Sequence, residues 1–368
     1  MKFRCSSNDL LSALQVAIRA LSVRSPQPIL EGVLIEALDD EVRLTASDGT
    51  FTIITTLPAA VEDEGDAVMP GRLFNEVVRK MPSGEVSANL SHSYVLSLRC
   101  LGSRTNISGQ NADAYPRVEV SANDAHIELP QSLVKDMITR TSFAVPMEDQ
   151  RQVLTGGFFN MQNGQIDMVG LDGFRMAMRT ARVSDTEHTV KAIIPLKSLE
   201  EIAKLMADDE ESRVEMRFGN NQLFVKLGST RLITSLIDGE YIDYRRVIPK
   251  SFNTELTVGR EEFARCVDCA SLMAREGKNN RIKFTVEGEK LFITSNSEIG
   301  DVFEEMSVKN NGGDIVIAFN VKYMMELIRV VSGDEMTVKF GTPVSPCVIA
   351  PVSGDDYTYL VLPVRLNA

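Results

Sequence analysis

Three times along the chain, at a spacing of 124 residues, an apolar run ends on a short polar turn and then resumes. Leu44 to Phe51 reads LTASDGTF, Val169 to Met176 reads VGLDGFRM, and Phe292 to Ile299 reads FITSNSEI. Asp48-Gly49, Asp172-Gly173 and Asn296-Ser297 fall in register at that spacing. Asp-Gly between hydrophobic runs is a hairpin signal, because both central residues of the tightest turns need positive φ. A second landmark keeps nearly the same period: Pro70, Pro195 and Asn320 each open a helical stretch, 125 residues apart. Two landmarks, each found three times, constrain the chain to three copies of one unit.

The copies share an order of strand, helix, several strands, a second helix and further strands. In the first copy, Lys2 to Cys5 leads into NDLLSALQVAIRAL, behind Ser7 or Asn8 as a cap. Leu10, Leu11, Leu14, Ile18 and Leu21 recur there at helical spacing. The same pattern predicts helices over 8–21, 72–80, 131–141, 197–206, 260–275 and 320–331. The fold class is therefore α+β, with domains over 1–122, 123–250 and 251–368, each carrying two helices against antiparallel sheet.

Charge divides the chain unevenly. The formal net charge is -12, which argues against a protein that coats nucleic acid with its whole surface. The six helices nevertheless hold thirteen cations against nine anions, a net +4 that leaves -16 elsewhere. A mildly basic face with no equipment for reading bases would hold a phosphate backbone loosely and without sequence preference. Aromatic residues are 6% and Trp is absent, so a stacking platform for single strands is not expected. MKFRCSSNDLL lacks a signal-peptide core and no run approaches the length of a membrane span, so a cytoplasmic protein without membrane contact is expected. Cys5, Cys100, Cys266, Cys269 and Cys347 have no framework spacing and read as reduced thiols.

Catalytic patterns are missing. Cys266-Val-Asp-Cys269 is one pair inside a helix, and His92, His126 and His188 are scattered, so neither metal nor cofactor is expected. There is no Walker A loop, GxGxxG turn or GxSxG elbow. Asp39-Asp40, Asp208-Asp209 and Asp355-Asp356 read as solvated turns. A hydrolase built on Asp48 and Asp172 is the alternative to a non-enzyme, although their place in a repeated turn explains them without chemistry.

With the triplication in hand, the chain resembles the bacterial DNA polymerase III β subunit, the replicative sliding clamp, from end to end. The resemblance rests on the initial MKF, Pro28-Ile29-Leu30 with the LTASD strand, LDGFRMA, LIDGEYIDYRRVIP at 236–249, AFNVKYMMELI at 318–328 and the terminal VLPVRL. It implies a homodimer, two chains joined head to tail into a ring of clamp-type domains whose helices line a hole around double-stranded DNA. It implies a non-catalytic processivity subunit, and a hydrophobic groove between the second and third domains that takes short linear motifs from polymerase, clamp loader and repair proteins. The matching groove positions are Leu154, Leu171, Gly173, Phe174, Arg175, Met176, Ile242, Arg246 and Val247 on one side. Asn320, Tyr323, Met324, Val344, Pro346, Leu360, Val361, Leu362, Pro363, Val364 and Arg365 make the other.

The resemblance also implies that Arg19, Arg79, Lys80, Lys135, Arg140, Lys197, Lys204 and Lys322 face DNA, with Arg24 and Arg151 at basic positions of the DNA-contacting loops. At the subunit seam, Arg99 and Arg104 would face Glu298, Asp301, Glu304 and Glu305 of the other chain, over Leu272 and Met273. Some positions depart from the family pattern. Leu171 and Phe174 replace the more frequent Thr and His, Ile242 replaces Pro, and Glu148, Asp149 and Gln152 stand where relatives place DNA-touching Gln and Tyr. A peptide-binding scaffold of clamp ancestry with weakened DNA loading is the alternative that these departures leave open.

Overall fold

A computed structural model describes residues 1–22, 27–117, 125–184, 188–277, 280–354 and 356–365. The expected boundary at 122 and 123 and the expected DNA-loop residue Arg24 lie outside the described residues. In the first repeat, β1 (Lys2–Ser6) and α1 (Ser7–Ala17) precede β2 (Gly32–Leu38), β3 (Glu41–Ser47), β4 (Phe51–Pro58), β5 (Ala60–Asp63) and β6 (Gly65–Pro70). Then come α2 (Gly71–Arg79), β7 (Glu85–Leu90), β8 (Val95–Cys100) and β9 (Ser103–Ser108).

The second repeat opens with β10 (Ala125–Pro130) and α3 (Gln131–Thr139), followed by β11 (Gly156–Gln162), β12 (Gln165–Leu171), β13 (Arg175–Arg182) and β14 (Val190–Pro195). It closes with α4 (Leu196–Leu205), β15 (Arg213–Phe218), β16 (Gln222–Leu227) and β17 (Thr230–Ser235). The third repeat runs β18 (Thr254–Gly259), α5 (Arg260–Glu276), β19 (Arg281–Glu287), β20 (Lys290–Ser297), β21 (Gly300–Ser307), β22 (Lys309–Gly312) and β23 (Ile315–Asn320). It ends with α6 (Val321–Val330), β24 (Glu335–Phe340), β25 (Cys347–Pro351) and β26 (Tyr357–Val361).

Two compact units emerge, Met1–Lys135 with Glu201–Leu236, and Asp136–Glu200 with Ile237–Ala368. The first holds a five-stranded sheet, β5-β1-β7-β8-β9, and an eight-stranded one, β10-β15-β16-β17-β4-β3-β2-β6. The second holds a nine-stranded sheet, β14-β11-β12-β13-β26-β25-β24-β18-β22, and a four-stranded one, β21-β20-β19-β23. Each long sheet is stitched from two successive repeats. β4 pairs with β17, Phe51 opposite Thr234, and β13 pairs with β26, Arg175 opposite Val361. The backbone ladder continues one step beyond each pair: Ser235 donates to the Thr50 carbonyl at 2.9 Å, and Leu362 to the Phe174 carbonyl at 2.8 Å. Both seams have one geometry, as copies of one unit should.

The helices pack one face and expose the other. In α2, Phe74 and Val78 are buried while Arg72, Glu76 and Arg79 are exposed. The core of the third repeat is aromatic: Phe263 meets Phe284 edge-on at 5.7 Å, and Phe284 meets Phe319 at 5.4 Å. Helix ends differ by a few residues from expectation. α1 stops at Ala17 and tightens into a 3-10 turn over Ile18–Ala20. α3 stops at Thr139, and Thr141 Oγ1 donates back to the Met137 carbonyl at 2.8 Å as the chain turns away.

The repeated turn corrects the expectation of two positive φ values. Only glycine takes one, +95° at Gly49 and +88° at Gly173. The aspartates act through their carboxylates instead. Asp48 Oδ1 accepts from the Thr50 and Phe51 amides at 2.9 and 2.8 Å, and Asp172 Oδ1 from Phe174 and Arg175 at 2.9 and 3.0 Å. The third hairpin turns one residue later than expected. Ser297 pairs with Gly300, and its Oγ accepts from the Ile299 amide at 3.4 Å, so Ser297 rather than Asn296 holds the aspartate's place.

Gly49→Ala should lower stability by ~1 kcal/mol, because an L side chain in that backbone region costs about 1–2 kcal/mol. The nearest atom to the added carbon is Leu30 Cδ1 at an ordinary 3.8 Å, so the effect is conformational. Urea unfolding checks this; an unmoved midpoint would mean that the turn relaxes freely.

Candidate functional site

All groove positions named from the sequence fall within the second compact unit. β12, its turn and β13 bring Leu171, Phe174, Arg175 and Met176 beside the last strand, β26, and the tail that follows it. Leu154, Leu171, Met176 and Leu360 form one apolar cluster with Phe158, Val169, Tyr241, Tyr244 and Val348, and Ile242 and Leu362 pack half-buried against it. Phe174, Val247 and Val344 are exposed, at 59%, 43% and 81%. Exposed aromatic and aliphatic side chains beside a packed apolar floor suit the capture of an apolar segment. Met324 and Val361 instead belong to the buried core of the third repeat and support the wall from behind. Their strand and helix pattern turns them inward, which motif matching does not register.

Arg175 is the fastener of this region. It donates to Asp172 Oδ2 at 2.9 Å, to the Phe143 carbonyl at 2.7 Å and to the Glu326 carboxylate. Its guanidinium lies 4.7 Å from the centre of the Tyr323 ring, which in turn stacks on Phe174 at 6.3 Å. A largely buried guanidinium needs acceptors for its donors, and these three supply them. Arg175 thus orients the groove rim, with each of its three guanidinium nitrogens engaged.

Below the rim, Asp167 is nearly inaccessible. It accepts from Tyr244 Oη at 2.7 Å, Arg245 Nη2 at 2.8 Å, Thr180 Oγ1 at 2.8 Å and Gln165 Nε2 at 3.0 Å. Tyr244 and Arg245 begin the short 3-10 turn Tyr244–Val247 that presents Arg246 and Val247. Burial opposes the Asp167 charge, but the hydrogen bonds from Tyr244, Arg245, Gln165 and Thr180 prevail and hold its pKa below the ordinary value. A second acid, Asp136, receives Arg140 at 2.5 Å, Arg179 at 3.0 Å and Tyr357 at 2.9 Å. Both guanidiniums lie over the Tyr357 ring, 4.4 and 4.3 Å from its centre. Arg140 also donates to the Val330 carbonyl, so this cation is spent inside the unit rather than offered to DNA.

Many of the other cations expected to face DNA are locally neutralised. Arg19 and Lys204 share Glu201 at 3.3 and 2.8 Å, Arg79 pairs with Glu76 at 2.5 Å, Lys135 with Asp208 at 2.6 Å and Arg151 with Asp149 at 3.3 Å. Lys80, Lys197 and Lys322 are exposed. The seam residues fall at sheet ends. Arg104 lies on β9 and Arg99 opposite it on β8, and β9 ends the five-stranded sheet. Asp301, Glu304 and Glu305 lie on β21, which ends the four-stranded sheet, and Glu298 lies in the turn before it. Glu304 is held by Arg265 at 2.8 Å and Glu305 by Lys290 at 2.6 Å. Leu272, Ile299 and Phe303 stand exposed around that edge, at 58%, 73% and 61%. Met273 sits half-buried below, its sulfur 3.6 Å from Ser297 Oγ.

Sequence reasoning passed over Asp167, Asp136, Tyr357, Glu326, Ile299 and Phe303. Ile299 and Phe303 carried a signal as apolar residues in an acid-rich stretch, and Glu326 as the counterpart of Glu76 and Glu201 at the 125-residue spacing. Among the described residues no group of three or more His, Cys, Asp or Glu could hold a metal, and no helix is long and apolar enough to cross a membrane.

Models of the N-terminal, central and C-terminal domains of the DNA polymerase III beta subunit match residues 1–119, 128–243 and 245–365. The protein named Beta sliding clamp of Staphylococcus aureus is 34% identical over 375 residues, covering 99% of both chains. The crystal structure of the DNA polymerase sliding clamp of Bacillus subtilis superposes with a TM-score of 0.96 at 32% identity over 99% of each chain. The DNA polymerase III beta subunit of Thermotoga maritima superposes with a TM-score of 0.92 at 26% identity, again over 99% of each.

The depressed pKa values of Asp167 and Asp136 set the sign of an acid transition. Their stabilisation is complete above the ordinary carboxylate value near 3.9 and is lost as pH falls through the lower folded values. Stability should therefore fall with a steep slope below about pH 4, and Asp167→Asn should flatten part of it. Thermal midpoints measured across that window test this; an identical slope in the variant would remove Asp167 from the account.

Proposed function

This chain belongs to the DNA polymerase III β-subunit family, and from that premise we propose how its own residues do the work of a sliding clamp. The clamp is a DNA-encircling processivity factor for a DNA polymerase. Its specific tasks here are to close by pairing β9 of each chain with β21 of the other, to ride on duplex DNA through the helix faces, and to dock partner proteins in the groove around Phe174, Val247 and Leu362. It is non-catalytic and acts in the cytoplasm.

The observation that carries this reading is the symmetry of the seams. Two joins inside the chain use the strand after the repeated turn and the last strand of the following repeat, β4 with β17 and β13 with β26. Among the described residues one such pair remains open, β21 and β9, and each is the last strand of its sheet. An exposed strand edge invites pairing, and a head-to-tail contact that closes removes both edges at once. Transferring the internal register puts Gly300 opposite Ile107, Val302 opposite Thr105 and Phe303 opposite Arg104. Exposed Ile299 then takes the place of Phe174, and its carbonyl would accept from the Ser108 amide. The acids of β21 and the arginines near β9 favour this arrangement over head-to-head pairing. Closure holds DNA by topology, so the neutralised cations described above are an asset: strong contacts would slow sliding.

The groove reading follows from exposure. Phe174, Val247 and Val344 stand exposed and Leu362 half-buried beside an apolar floor whose polar support comes from Arg175 and Asp167. A clamp-binding motif with two or three apolar anchors fits such a surface better than a charged ligand does.

Thr105→Cys with Val302→Cys should give a disulfide-linked dimer under mild oxidation, while Thr105→Cys with Phe303→Cys should not. Dominant crosslinking of the offset pair would overturn the register, and sedimentation as a persistent monomer would favour a peptide-binding scaffold over a ring. For the groove, Leu362→Ala should weaken a polymerase-derived motif peptide about tenfold, which is ~1.4 kcal/mol of apolar contact. Fluorescence polarisation measures it; unchanged affinity in a folded variant would place the peptide elsewhere.

A further inference from the structure

The second helix of every repeat carries one charge pattern: a cation, a glutamate four residues on, and a cation three beyond that. The residues are Arg72, Glu76 and Arg79 in α2, Lys197, Glu201 and Lys204 in α4, and Lys322, Glu326 and Arg329 in α6. Such spacing puts all three on one face. In α2 and α4 the glutamate neutralises the following cation, Arg79 at 2.5 Å and Lys204 at 2.8 Å. In α6 it does not. Glu326 is taken by the buried Arg175, and among the described residues neither Lys322 nor Arg329 has an ion pair.

A second departure meets this one. In the first two repeats the first helix is short, 11 and 9 residues, but α5 has 17. Its added turns end at Arg275, which reaches α6 to place Nη2 3.6 Å from Met325 Sδ. Arg275, Lys322 and Arg329, with Asn280, Met325 and Glu326, line a cleft of about 310 Å³. Three cations therefore face a cavity whose one carboxylate is already committed to Arg175.

We propose that this cleft is a phosphate seat, the place on the helix face where the clamp grips the DNA backbone most strongly. The ligand is a phosphodiester oxygen pair. Arginine supplies a planar fork for it and lysine a point charge, and neither reads a base. The equivalent faces of α2 and α4 carry the same residue types but have discharged one cation internally, so the grip is uneven around the molecule. This inference rests on the reading that the helices face DNA.

The test is equilibrium binding of the full-length protein to a short linear duplex across a salt series, by fluorescence anisotropy. Each lost phosphate contact reduces the slope of log affinity against log salt by about 0.9. Lys322→Gln with Arg329→Gln should reduce the slope by about 1 to 2, and the matched pair Arg72→Gln with Arg79→Gln by clearly less. Circular dichroism separates a folding failure from a binding one, and Arg275→Gln alone, giving a smaller drop, serves if the double variant does not fold. Equal slopes for the two pairs would overturn the seat while leaving the clamp reading intact. Wild-type protein that ignores duplex at the lowest salt would instead overturn the reading that the helix faces contact the DNA backbone. Titration with inorganic phosphate distinguishes the anion's source: thermal stabilisation that the variant loses, with no change in duplex slope, would make this a free-anion site and refute the DNA role.

Discussion

Backbone pairing between successive repeats is the interaction on which the rest of the molecule depends. A repeat of this kind ends in strands whose outer amides and carbonyls need partners, and isolated edges attract unwanted ones. The chain resolves two of these edges internally, β4 with β17 and β13 with β26, and each join has the same register and the same terminal hydrogen bond. The groove is a product of the second join. Pairing β13 with β26 brings Phe174 and Met176 next to Leu360 and Leu362, residues almost two hundred positions apart in the chain.

Electrostatics then sorts the arginines and lysines into two kinds. Arg175, Arg140 and Arg179 are desolvated and surrounded by carboxylates, carbonyls and aromatic faces, where they fix neighbouring elements. Arg79, Lys135 and Lys204 stay on the surface with their charge offset by a nearby acid, which weakens any hold on a polyanion. A protein that must retain DNA and still move along it needs this second kind. The shared position of Glu76, Glu201 and Glu326 shows how small the difference can be. Redirecting one glutamate to a buried arginine leaves its helix more basic than its two counterparts.

Much of this was legible in the sequence. The triplicate turn at Asp48, Asp172 and Ser297 gave the repeat with an error of one residue in the third copy, because serine there does the work of aspartate without glycine beside it. The six helices were located to within a few residues, with the largest errors where α1 and α3 run into tighter turns. The groove positions came from motif resemblance, which marks residues but not their direction. Met324 and Val361 share the motifs with Tyr323 and Leu362, yet face the core. Arg140 was expected on the DNA side from the resemblance and its place on a helix, and its stacking partner Tyr357 lies over two hundred residues away, beyond the reach of any local pattern.

The sequence alone determined the repeat, the element order, the excess of positive charge on the helices and the absence of a recognisable catalytic motif, because each depends on spacing or residue type along one stretch of chain. Tertiary structure decided which cations remain available, which apolar residues are exposed at the groove and at β21, and which strand edges stay open. Those properties depend on what a side chain or backbone group meets across the fold. A glutamate followed three residues on by a cation reads alike in α4 and α6, and only packing against Arg175 separates them.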